Sequence, residues 1–405
     1  MALTDRQLST SVAHNAAAAI DAWRSSAASE PFAERAQAIA DLLRSGARWD
    51  PSLFPLLLAI GRALGRPPGP RPTTLGDLLS AVNILPAAVD APPWVFDATV
   101  DRHAFATLGY AAASAGIAKT QRDNREGWWA HSRQNRGFIL KAAARVEQPK
   151  LAVVLGAGKA FDLPLPEMAA RFERLVLIDI DAEALAETCS NVVHDSKLRR
   201  RIELRSMDLS GISARLARSI EGLIANAPDA ATAEAGLEAL CRSYRLAALP
   251  RLLEPGERAD LLVSGMVLTQ LALQPKLLAK QSFEQRFGPV QPTSLERWSL
   301  AWDELDLRLQ QDHINALVHD ADLVVLTSDV LHHSIYIAAG GRELPRGEVW
   351  SVIGADTLKE RIPGFVDIVD AAEWSWPRIR PRPPDFDGVR TNVNGLVLRM
   401  AAGGA

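Results

Sequence analysis

The chain has 405 residues, of which 48% are apolar and 23% charged, and its formal net charge is −3. That length allows two or three domains of ordinary size, and the composition is that of a soluble globular protein, not of a disordered, collagen-like or disulfide-stapled chain. The near balance of charge, with no basic patch interleaved with aromatics, gives no footprint for nucleic acid.

In chain order, "MALTDRQLSTSVAHN" lacks the basic segment and apolar core of a secretory signal. "LFPLLLAIGRAL", interrupted by Pro55 and Arg62, falls short of the ~20 apolar residues that cross a bilayer and reads as a buried helix. A cytoplasmic protein without a membrane partner is the expectation. Residues 1 to about 120 carry Ala, Leu and Arg at helical spacing, as in "FAERAQAIADLLRSGARW", and predict an all-helical N-terminal domain, 1–120, broken by the rigid connector "GRPPGPRP" from Gly65 to Pro72. That domain is expected to shape an acceptor pocket or a homodimer interface. Next, "REGWWAHSRQNRGFILKAA" reads as an amphipathic helix carrying Trp128, His131, Arg133 and Arg136, whose tryptophans either dock the helical half or border a ligand. Cys189 and Cys241 match no metal spacing and no disulfide framework, so no metal site is expected.

From Lys150 the pattern changes to an α/β domain, 121–405. Seven apolar runs alternate with helix-length spans: "LAVVL", "RLVLIDI", "RIELRSM", "ADLLVSGMV", "ADLVVLTSDV", "FVDIVDA" and "NGLVLRM". Continuous apolar strands separated by helices indicate a parallel sheet covered on both faces. The last two runs are joined by the proline-rich "WPRIRPRPPDFDG", Trp376 to Gly388, which predicts a final strand that enters antiparallel in a hairpin. "SLERWSLAWDELDLRLQQDHINALV" places Trp298, Trp302, Leu305 and Leu309 on one helical stripe facing the core. "QSFEQRFGPVQPT" before it reads as a lid over the acceptor or as an ordinary surface loop.

The first run ends in "VVLGAGKAFDL". Gly156 and Gly158 stand at the strand's carboxyl end, where glycine permits a sharp turn and close approach to a ligand. Asp179 ends the second strand 23 residues after Gly156, at the separation from which a carboxylate reaches ribose hydroxyls. A dinucleotide site wants a small residue at the sixth motif position. Phe161 occupies it, followed by Asp162, whose charge would repel a pyrophosphate and would tolerate a sulfonium and its amino group. Asp208 follows the third strand, where an acceptor could meet an adenine amino group.

Taken together, the sequence from Lys150 onward resembles the class I S-adenosylmethionine-dependent methyltransferases. "VVLGAGKAF" looks like their glycine loop, "LVLIDID" their ribose-binding strand end and "SMDLS" their adenine-side acidic segment. The resemblance implies a Rossmann-like seven-stranded, mostly parallel sheet with a terminal antiparallel hairpin. It implies S-adenosylmethionine held by Gly156, Ala157, Gly158, Asp179, Ile180, Asp208 and Leu209, and it implies that an element ahead of the first strand closes over the methionine end, giving His131 and Arg136 as contacts. Two departures bear on the subfamily. Leu155 and Ala160 stand where an acidic residue and a third glycine are frequent, and Gly211 to Glu257 is longer than a simple crossover needs.

In such a sheet the ligand crevice lies beyond the carboxyl ends of the strands. After the fourth strand, Ser264, Gly265 and Gln270 could reach cofactor or acceptor. After the fifth, "TSDVLHHSIY" carries Asp329, His332, His333 and Tyr336 towards the crevice mouth, where either histidine could serve as general base. A packed or solvated histidine is the plainer reading, and methyl transfer to an activated sulfonium can proceed by positioning alone. The expected activity is methyl transfer to a small molecule or a peptide side chain. The alternatives are a nicotinamide-dependent oxidoreductase and a non-catalytic binding protein that retains the nucleotide fold.

Overall fold

A computed structural model of the chain describes Val95–Phe96, Val100 and residues 102 to 400, the last with short internal gaps. The chain divides into two compact units, Met1–Ala91 and Pro92–Ala405, and the described residues all belong to the second. Most of the expected N-terminal helical domain, including "LFPLLLAIGRAL" and the Gly65–Pro72 connector, lies outside the described residues.

Among the described residues three helices stand between the short strand at Val95–Phe96 and the rest of the sheet: α1 (Arg102–Thr107), α2 (Tyr110–Asp123) and α3 (Arg125–Ala143). The buried positions of α3 include Trp128, His131, Asn135, Phe138, Ile139 and Ala142, three or four apart, so a single face of this helix is committed to the interior. The parallel strands β2 (Leu151–Leu155), β3 (Arg174–Asp179), β4 (Ile202–Ser206), β5 (Leu261–Gly265) and β6 (Leu323–Ile337) follow, with β1 (Val95–Phe96) added beside β4. Every residue of β2 is buried because apolar layers cover both faces.

The helices of the crossovers are α4 (Leu165–Arg171), α5 (Ala182–Val192), α6 (Ser196–Arg199), α7 (Ser213–Asn226), α8 (Ala230–Ser243), α9 (Leu273–Phe287) and α10 (Pro292–Asp320). Three further strands are β7 (Glu343–Ser351), β8 (Val366–Ile379) and β9 (Asp387–Met400), and the sheet runs β1-β4-β3-β2-β5-β6-β9-β8, with β7 on β6. All seven expected strands are present. The final one, β9, lies antiparallel between β6 and β8, which is the reversed terminal hairpin of the expected Rossmann-like sheet. The described residues of the long stretch between the third and fourth expected strands form two helices, α7 and α8.

Three expectations are corrected. The fifth strand does not stop at the crevice. β6 continues to Ile337, so "TSDVLHHSIY" is strand, its backbone paired by β9 on one side and, from Leu331 on, by β7 on the other. The proline-rich stretch is not a connector throughout, because β8 runs through Pro377 to Ile379; a proline is tolerated there since β8 is the outer strand. Nor is "QSFEQRFGPVQPT" a lid or a plain loop. Gln281–Phe287 are the last turns of α9, where Leu278, Ala279 and Phe283 pack inward at helical spacing, and Gly288 at φ 87° ends the helix. The α10 stripe of Trp298, Trp302, Leu305 and Leu309 is buried as read.

Candidate functional site

A cavity of about 290 Å³ opens at the carboxyl ends of the parallel strands, and each of its walls can be traced to a local cause. The floor is the Gly156–Asp162 loop. Gly156 adopts φ 67°, and a Cβ there would overlap Cγ2 of Val267, so the turn and the close packing of the loop after β5 both require glycine. Met266, on that second loop, is left-handed at φ 58° without being glycine. Such a residue stores roughly 1–3 kcal/mol of strain. It is held by a hydrogen bond from its N–H to the Thr327 carbonyl, 2.9 Å, and it forms part of the cavity wall.

Asp179 lies in the wall with Ile180. Its Oδ2 accepts from the Gly158 N–H at 2.9 Å and its Oδ1 from the Asp181 N–H at 2.9 Å, so the carboxylate ties the glycine loop to the end of β3. Burial pushes its pKa up to about 6, against those hydrogen bonds. Asp208 and Leu209 also line the cavity, but the Asp208 carboxylate is occupied at the start of α7. It accepts from Ser210 N–H and Oγ and from Ser213 N–H. Opposite them, Tyr110, Ala113, Ser114 and Ile117 project from one face of α2, and the Tyr110 hydroxyl meets Ser213 Oγ at 3.0 Å. Burial, and then the charges of Asp208 and Asp179, push the Tyr110 phenol well above its ordinary range.

The other end of the cavity is aromatic. Trp128 and Trp376 stand nearly perpendicular with centroids 4.7 Å apart, and His131 stacks on Trp376 at 4.2 Å. Trp374 donates its indole N–H to His131 Nδ1 at 3.0 Å. Indole can only donate, which leaves the imidazole proton on Nε2, 3.3 Å from Asp162 Oδ2. Asn135 donates to the same oxygen at 3.0 Å. Burial alone would raise the Asp162 pKa. The hydrogen bond from His131, with the nearby charges, outweighs it and holds the carboxyl below its ordinary range. Phe161 packs edge-on against Trp128, 6.0 Å between centroids.

Of the residues singled out from the sequence, Gly156, Ala157, Gly158, Asp162, Asp179, Ile180, Asp208, Leu209, Gly265, His131 and Gln270 line this one cavity. Arg136 does not: its guanidinium donates to the Phe161 carbonyl at 3.1 Å and braces the loop from behind. Ser264 is turned away from the cavity, fully buried, with its Oγ 3.0 Å from His313 Nε2. His332, His333 and Tyr336 stand further along β6, outside the lining. His332 is buried with Nδ1 2.9 Å from Thr391 Oγ1 and Nε2 3.6 Å from Asp329 Oδ2. Burial pushes this imidazole below its ordinary value against the pull of Asp329. It is Asp329 that reaches the lining.

The sequence reading also missed Trp376 and Arg378, hidden in what looked like a proline-rich connector, and the α2 face, hidden in an alanine-rich helical region. A spacing of three, four and seven from Tyr110 was the available signal for the latter.

No family model matches the sequence, and no curated protein matches it. Solved structures do. Among them are the N-methyltransferase NodS from Bradyrhizobium japonicum WM9, at 14% identity, 67% of this chain, 98% of that one and TM-score 0.33. Another is magnesium protoporphyrin IX methyltransferase (ChlM) from Synechocystis PCC 6803 with bound SAM, at 11% identity, 75% and 100% coverage and TM-score 0.34. A third is the glycopeptide N-methyltransferase MtfA complexed with S-adenosyl-L-methionine, at 11% identity, 67% and 87% coverage and TM-score 0.29. At these values the likenesses decide nothing about chemistry, which has to come from the cavity itself. Among the described residues no helix is long and apolar enough to cross a membrane.

Proposed function

We propose that the chain is an S-adenosylmethionine-dependent methyltransferase acting on a small molecule or a peptide side chain. The observation that carries this reading is the combination of a ribose-side carboxylate with a loop that cannot cradle a pyrophosphate. Phosphates at this position of an α/β sheet rest on the free N–H groups of the following helix. Here that helix is the seven-residue α4, with Pro164 as its cap and Pro166 in its first turn, so two of those donors are missing. Ahead of it stands the Asp162 carboxylate, kept ionised by its buried neighbours.

The same wall suits a sulfonium amino acid. Five carboxylates, Asp162, Asp179, Asp181, Asp208 and Asp329, line the cavity against Lys159 and Arg378. The faces of Trp128 and Trp376 are surfaces on which a cation is favourable. Bound S-adenosylmethionine would supply an electrophilic methyl group. The chain would hold the ribose at Asp179, take the amino group near Asp162 and exclude water with its aromatic end. Thermal shift tests the choice of cofactor: S-adenosylmethionine is expected to stabilise the protein and NADH to leave it unchanged. A larger shift with NADH would reverse the assignment.

A further inference from the structure

Asp329 is 4% exposed and sits in the cavity wall, yet its carboxylate accepts one hydrogen bond among the described residues, from Thr269 Oγ1 to Oδ1 at 2.6 Å. A carboxylate has room for about four. His332 Nε2 stands 3.6 Å from Oδ2, beyond hydrogen-bond length, and His332 is itself engaged by Thr391. The backbone shows how the side chain comes to face the cavity. The β6–β9 register slips between Asp329 and Leu331, a bulge of the kind that re-aims a side chain beside a site. A buried carboxylate left this short of donors is costly unless a cation completes it.

The flanking groups limit what that cation can be. Lys159 is paired with Glu187, and Arg378 lies over the Trp376 ring, 5.4 Å from its centroid. Gln270, Met266, Trp128 and Trp376 line the same cavity as Asp329. A carboxylate in a cavity that also holds aromatic faces and an excess of negative charge selects an ammonium over an alcohol or an acid.

We infer that the methyl acceptor is an amine, bound as an ammonium by Asp329, so that the protein is an N-methyltransferase. This rests on the methyltransferase reading above. Asp329 takes one proton from the bound ammonium, which frees the nitrogen lone pair. That pair attacks the methyl carbon of the sulfonium, the carbon–sulfur bond breaks, and its electrons stay on sulfur to give the neutral thioether. The methylated nitrogen leaves as an ammonium, and the proton on Asp329 passes to solvent, one proton released per turnover.

The test uses the full chain saturated with S-adenosylhomocysteine and titrated near neutral pH with benzylammonium, benzyl alcohol and benzoate. Benzylammonium is expected to bind at least about tenfold more tightly than the other two. That preference should vanish in Asp329→Asn titrated in the same way, with a cooperative thermal melt reporting that the variant is folded. Should the variant fail to fold, the preference of the parent decides alone. No preference for the cation, including no binding by any of the three, overturns the inference. Failure of S-adenosylhomocysteine to bind the parent would instead overturn the reading on which it rests.

Discussion

Asp179 carries the clearest consequences of a single side chain. It is both the tie between the glycine loop and β3 and the carboxylate that would accept the ribose hydroxyls. Removing such charge-assisted hydrogen bonds costs roughly 1.5–3 kcal/mol, so Asp179→Ala is expected to weaken S-adenosylhomocysteine binding at least about tenfold. A variant that bound as well as the parent would make Asp179 a loop tie and nothing more. The pH dependence has a definite sign. Burial raises this carboxyl to about 6, so it is charged above that pH and neutral below it. Affinity should therefore fall as the pH drops through about 6, and the fall should be absent from Asp179→Ala. At this scale the sequence was informative where chemistry follows from position along a strand, as with Gly156 and Asp179. It was blind where side-chain direction decides. Nothing in "VSGMV" says that Ser264 turns beneath the sheet to His313, and nothing in "SDVLHH" says that a bulge brings Asp329, not the histidines, into the cavity wall.

Among the elements, α3 holds the aromatic end of the site. Its Gly127 is so close to β8 that a Cβ would overlap the Pro377 carbonyl oxygen. Gly127→Ala should therefore lift the helix from the strand, destabilise the fold by roughly 1–3 kcal/mol and weaken cofactor binding, since Trp128 and His131 ride on the same helix. A calorimetric scan with and without S-adenosylhomocysteine would register both, and unchanged melting would mean that the contact relaxes freely. On the other side of the sheet, α10 buries His313, and burial lowers its imidazole pKa to about 4. Its folded value is depressed below the ordinary 6.5 or so. The stability it contributes is thus present above that value and lost as the pH falls towards 4, with a slope of at most about 1.4 kcal/mol per pH unit. His313→Leu should flatten acid destabilisation in that window, and an unchanged profile would show that other groups carry it. Helix α3 and the α10 stripe were legible because amphipathic periodicity survives in a local window. The extension of β6 was not, because its backbone is satisfied by β7 and β9, and pairing with distant strands leaves no local mark.

For the molecule as a whole, the sheet order follows from chain logic that a sequence can express: apolar strands, helix-length crossovers and a final reversed strand. The cavity does not follow in the same way. It is assembled from α2, α3, the loops after β2 to β5, a bulge in β6 and the outer strand β8, elements up to about 270 residues apart in a chain whose contacts cannot be read from spacing. Whether this cavity holds a sulfonium nucleoside and no pyrophosphate is decided by titration calorimetry of the full chain with S-adenosylhomocysteine, NAD and NADP. S-adenosylhomocysteine is expected to bind at one site per chain, and neither dinucleotide to bind. Binding of NAD or NADP in its place, or of none of the three, would contradict the methyltransferase reading.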